Sequence, residues 1–134
     1  MGNIVEGNPL SASNIISRFA DADDRLANAI ADWQVSAEAA NRMAVELDAC
    51  KRILDGIEAE LLPQASGSNA EARKASLVSM LQGHASYQEA LRMQSSLMDD
   101  KKCAEKDRDL AMHHISRYKR HLDLWAGLSR QAVE

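Results

Sequence analysis

The chain has 134 residues, enough for one domain, and 46% of them are apolar while only 4% are aromatic. Alanine, leucine and charged side chains dominate and there are just two prolines, a mix that favours helices and argues against a β-rich fold. The net charge of −4 is unevenly spread: residues 1–70 balance at −6, residues 71–100 at −1 and residues 101–134 at +3, so only the last third could attract a polyanion.

No apolar run approaches the roughly 20 residues needed to span a bilayer. The opening MGNIVEGNPLSAS lacks the basic-then-apolar build of a signal peptide, and Glu6 stands where a myristoylation signal needs Ser or Thr. A cytoplasmic protein with no membrane partner is expected. Cys50 and Cys103 are too few and too far apart for a disulfide framework or a CxxC site, and read as buried free thiols.

In chain order, residues 1–10 hold two Gly, two Asn and Pro9 and read as a flexible arm. Ser11 or Ser13 can cap the helix that follows. Phe19, Leu26, Trp33, Ala40, Leu47, Leu54 and Leu61 then recur every seven residues, with Ile16, Ile30, Ala37, Met43, Ala44, Cys50 and Ile57 filling the stripe between them. That spacing predicts one long helix packed as a coiled coil and stopped by Leu62-Pro63. Residues 63–68, PQASGS, form the internal linker. Ser68 with Glu71 reads as a capping box for a short helix from Ala70 to about Gln82, whose apolar side is Leu77, Val78 and Leu81, with Gly83 as its stop. Ser86 with Glu89 reads as a second box, opening a helix to Trp125 or Leu128. Ala90, Leu97, Ala104, Ala111, Tyr118 and Trp125 recur every seven there, joined by Tyr87, Leu91, Ile115 and Leu122. The polar run DDKKCAEKDRD at 99–109 is the place where this helix could bend or fray.

The expected fold is therefore all-α: a long antiparallel helical hairpin with a short intervening helix, formed by residues 11–134 as a single domain. The hairpin sets Leu61 near Tyr87, Trp33 near Ile115 and Leu26 near Leu122. Two helices side by side leave much of each apolar stripe wet, so assembly into a homo-oligomer is expected. A bundle made by breaking the first helix near Asp21–Asp24 is the alternative.

Catalytic patterns are missing: there is no HExxH, no GxSxG, no Gly-rich phosphate loop, and no glycine between 84 and 126. Asp23-Asp24 and Asp99-Asp100 are adjacent and splay apart on a helix, so neither is an acid–base pair. The histidines of MHHISRYKRHLDLW (112–125) do not make a metal site. His114 and His121 are separated by ~10.5 Å of helix axis, and His113 points elsewhere. No enzyme, cofactor or metal is expected.

The basic residues sort better. Lys102, Lys106, His113, Arg117 and Arg120 are spaced 4, 7, 4 and 3, which gathers them into an arc of ~60° opposite the apolar stripe, interrupted by Asp109. Such a ridge is either a solvated face or a strip that tracks phosphates. Tyr118 and Trp125 fall on the dry side and are assigned to the core.

In order and punctuation the chain resembles the phage UvsY-type recombination mediators, small oligomeric helical-hairpin proteins that help load a recombinase on single-stranded DNA. The resemblance spans roughly residues 25–126. It rests on a long first helix, a loop, and ASLVSMLQGHASYQEALRMQSSL (75–97), where a short helix breaks and a long one restarts, followed by an aromatic-basic closing run. The family's DNA-contacting basic pair before a Leu-Asp has its nearest match in Lys51-Arg52-Ile53-Leu54-Asp55. Here the pair is adjacent instead of split by one residue and lies among Asp48, Asp55, Glu58 and Glu60.

The resemblance implies a non-enzymatic mediator or accessory protein in a bacterial host cytoplasm. It would bind single-stranded DNA weakly and in a salt-dependent way through Lys51, Arg52, Lys102, Lys106, His113, Arg117 and Arg120. A recombinase or single-strand-binding protein would be met by the acidic first helix. The alternative is an acidic helical protein-interaction module, an adaptor or an inhibitor of a host enzyme, that ignores nucleic acid.

Overall fold

A computed structural model describes residues 11–133, with side chains through residue 131. The flexible-arm reading of residues 1–10 lies outside them. Three α-helices follow in order: α1 (Ala12–Leu61), α2 (Ala70–Gln82) and α3 (Ala85–Val133), with a 3-10 turn at Leu62–Gln64 after α1. There is no strand among the described residues, and the fold is an all-α helical hairpin.

Each helix start has a visible cause. Ser11 Oγ accepts from the Asn14 amide at 3.3 Å, so the first cap falls at the earlier of the two serines. The other two caps correct the capping boxes. Asn69, not Ser68, caps α2: its backbone is extended and its side-chain oxygen accepts from the Ala72 amide at 2.8 Å. His84, not Ser86, caps α3, its Nδ1 accepting from the Tyr87 amide at 3.1 Å. A cap must immediately precede the first helical residue; Ser68 is one place before Asn69, and Ser86 is two places after His84, inside α3. α1 passes unbroken through Asp21–Asp24, so the broken-helix alternative does not occur. α3 passes unbroken through 99–109 and ends at Val133, several residues later than the apolar pattern suggested.

The chain divides into two compact units, one drawn from the residues up to 37 and from 105 onward, the other from residues 38–104. The second is a three-helix unit. Its buried side chains are Ala40, Cys50 and Leu54 from α1, Leu81 from α2, and Ala90 and Ala104 from α3. Tyr87 of α3 donates its hydroxyl proton to Glu58 Oε1 of α1 at 2.8 Å, one turn from the Leu61 neighbour that the hairpin register predicts. The linker is tied as well, the Ser66 amide donating to Ser76 Oγ of α2 at 3.2 Å. Gly67 has φ of +156°, and a Cβ there would lie 2.7 Å from Ala72 Cβ and Arg73 N, so this turn needs glycine. Cys50 is buried but Cys103 is exposed, which corrects the reading of two buried thiols; both are free. Val78 is exposed too, so the apolar side of α2 is narrower than its three aliphatics suggest.

The first is a two-helix unit, in which residues 12–37 of α1 run antiparallel to residues 105–133 of α3. Its buried side chains are Ile15, Ala22 and Ala29 against Ala111 and Ile115. The predicted row Phe19, Leu26 and Trp33 lies beside this seam instead of at its bottom. Leu26 and Trp33 are half-buried, Phe19 is 39% exposed, and Ile16 and Ile30 are 63% and 38% exposed. The physical reason is size: small alanines let two helices approach closely, and the larger side chains then sit on the flanks.

Candidate functional site

The two-helix unit carries the features that could meet a partner. Lys106, His113, Arg117 and Arg120 share one exposed face of α3, which is helical throughout, so the spacing places them as expected. Among the described residues no ion pair engages any of the four; Arg120 Nε reaches only the Ser116 carbonyl oxygen, at 3.4 Å. Asp109, which interrupts the ridge, is met by Arg108 Nε at 3.5 Å. Both are solvent-facing, so the pair offsets the carboxylate only weakly. Leu110 and Leu124, each 55% exposed, are interleaved with the basic residues.

Lys51, Arg52 and Lys102 belong to the three-helix unit, the first two on α1 and the third on α3, and all three are exposed. Lys51 and Arg52 have exposed Asp48 and Asp55 one turn away on either side. Their field is therefore locally balanced, whereas that of the α3 face is positive.

The sequence did not reveal a trough along one side of the two-helix unit. Three consecutive hollows of about 340, 250 and 240 Å³ share lining residues: Asp32 and His114 join the first two, Arg25 and Tyr118 the second and third. Ala22, Ala29 and Ala111 form its floor. The rings of His114, Tyr118 and His121 form a row along its α3 wall, each 6.0 Å from the next between centroids and tilted or edge-on. Tyr118 and Trp125 are half-buried here, which corrects their assignment to the core. On the α1 wall Arg25 Nε pairs with Asp21 Oδ2 at 3.3 Å. The trough's formal charges are Arg18 and Arg25 against Asp21, Asp32 and Asp107, whereas the exposed α3 face outside it carries Lys106, Arg117 and Arg120. The sequence signal for this feature was the alanine set 22, 29 and 111, small residues on a buried stripe flanked by large rings.

Among the described residues no group of three or more His, Cys, Asp or Glu side chains is placed to hold a metal ion, and no helix is long and apolar enough to cross a membrane. No protein-family model matches the chain, and neither a characterised protein nor a solved structure matches it significantly.

Proposed function

We propose that this is a non-enzymatic, self-associating helical-hairpin protein of the recombination-mediator type, which holds single-stranded DNA weakly on the basic face of α3. The observation that carries the reading is the exposed, ion-pair-free set Lys106, His113, Arg117 and Arg120 on one helical face of a chain that is otherwise acidic. Unpaired guanidinium and ammonium groups in a row displace the cations condensed on the phosphates, and the binding is independent of base sequence. Lys51, Arg52 and Lys102 would add contacts of the same kind. A recombinase or single-strand-binding protein is the expected second partner.

The test is fluorescence anisotropy of a labelled single-stranded oligonucleotide across a salt series. Binding that weakens steeply with salt, with a log–log slope reduced by about 2 in Arg117→Ala/Arg120→Ala, supports the reading. Equal binding by that double variant and the parent would refute the basic face. A second reading, an acidic protein-interaction module, is favoured by exposed Asp23 and Asp24 on α1, which have no ion-pair partner among the described residues. Absence of DNA binding even at low salt would move the assignment there.

A further inference from the structure

From two exposed seams of equal spacing we infer that the two-helix unit binds a second copy of itself, α1 of one chain against α3 of the next. This deepens the self-association in the proposed function and rests on that part of it, not on DNA binding.

The first seam lies on α1. Ile16, Ala20, Asp23, Ala27 and Ile30 follow one another at intervals of 4, 3, 4 and 3 residues, and every one is exposed. The second lies on α3. Read backwards from its C-terminal end, Leu124, Arg120, Arg117, His113 and Leu110 also step by 4, 3, 4 and 3, and every one is exposed. On ideal helices each set covers an arc of ~80°, the width of a coiled-coil contact strip. The buried seam inside the unit uses other residues, so both strips are left over after the hairpin has formed.

The strips match as well as repeat. Run antiparallel, Ile16 faces Leu124 and Ile30 faces Leu110, which covers the large exposed aliphatics at both ends. Ala20 faces Arg120 and Ala27 faces His113, small against large, as close helix packing requires. Asp23 faces Arg117 at the centre. Neither of these two has a partner within its own chain among the described residues. An offset of one rung would set Asp23 against Arg120 or His113 but Arg117 against an alanine, and would part Ile16 from Leu124 and Ile30 from Leu110, so the aliphatic ends and the central pair fix register together.

The geometry sets the kind of assembly. The α3 strip borders the trough, which Leu110 and Leu124 help to line. The α1 strip borders the other side of the unit, where Ile16 and Phe19 meet Ala126 and Ser129 around a hollow of about 290 Å³. One copy therefore cannot use both strips on the same neighbour. The contact is head-to-tail, closing into a ring or extending as a filament. Arg117 and Arg120 also belong to the face proposed to hold DNA, so a neighbouring copy and a DNA strand compete for it.

The test is a charge exchange in the full chain, read by sedimentation velocity over a concentration series at low ionic strength. Asp23→Arg and Arg117→Asp should each weaken self-association at least about tenfold. The double variant should return to within about threefold of the parent, because the reversed pair restores the central contact. Both residues concerned are exposed, so helicity by circular dichroism should be unchanged. A parent that stays monomeric throughout, a double variant no better than either single one, or an Asp23→Arg variant that associates like the parent would overturn the seam. DNA binding separates the two readings: Asp23→Arg keeps the basic face and should bind the oligonucleotide at least as well as the parent. Restored assembly in the double variant of a protein that never binds DNA supports the seam and removes only the DNA reading.

Discussion

The three-helix unit and the two-helix unit are built from the same pair of helices and solve the burial problem differently. Between residues 38 and 104, α2 supplies a third wall, and larger side chains such as Leu54 and Leu81 are buried beside the alanines. A hydrogen bond between side chains 29 residues apart, Tyr87 to Glu58, joins two of the helices. Among the described residues the two-helix unit has no third helix. The buried set is Ile15, Ile115 and three alanines, while Ile16, Phe19, Val35, Leu110 and Leu124 remain exposed. Two helices can hide only one stripe each, so the two-helix unit buries smaller side chains than the three-helix unit, which itself leaves Val45, Ile53 and Met93 exposed.

The largest expected difference between them comes from truncating apolar residues. Leu54→Ala, at a site 6% exposed, should destabilise the protein by about 2–4 kcal/mol in a denaturant titration. Val35→Ala, at a site 68% exposed, should stay within about 0.5 kcal/mol. Equal losses at the two sites would break the comparison. Next in size is Gly67→Ala in the turn of the three-helix unit, expected to cost about 1–3 kcal/mol because an L side chain is strained at that φ and its Cβ would collide with the first turn of α2. Asn69→Ala should cost about 1 kcal/mol by leaving the Ala72 amide without its acceptor, and Asn69→Ser should recover most of that.

The smallest effect is a pH dependence at Tyr87 in the three-helix unit. The hydrogen bond to Glu58, then burial, then the negative charges of Glu58 and Asp55 raise the Tyr87 phenol above its ordinary 10.0. A raised folded value favours the protonated phenol, so this contribution is intact below about pH 10 and is lost as pH rises through the folded value. Tyr87→Phe should remove that alkaline dependence and cost less than about 1 kcal/mol at neutral pH. An unchanged alkaline profile in the Phe variant would show that the bond contributes nothing.

How much of this was legible in the sequence depends on the kind of signal. Helix number and order, the Pro63 stop and the antiparallel register followed from seven-residue spacing and punctuation, which are local and strong. The α3 stripe was legible because Ala90, Ala104 and Ala111 fall on that spacing, with Ile115 one turn on, and all four are buried. The predicted α1 stripe is buried at Ala40, Cys50 and Leu54, but in residues 12–37 the seam was misplaced because hydrophobicity favours Phe19 over Ala22, while close approach of two helices favours the alanine. The caps at Asn69 and His84 were missed because a capping box fixes a helix start only to within a residue or two. The basic face of α3 followed from spacing on a single helix. The trough did not, since its walls come from two helices and its row of rings exists only once they are packed.

The contact between copies proposed for the two-helix unit is tested most directly by amide hydrogen exchange of the full chain in dilute and concentrated solution. If a second copy covers the exposed seams, protection should rise with concentration in residues 12–37 and 105–133 and stay level in residues 38–104. Protection that is independent of concentration in both units, or that rises in residues 38–104 instead, would contradict the account.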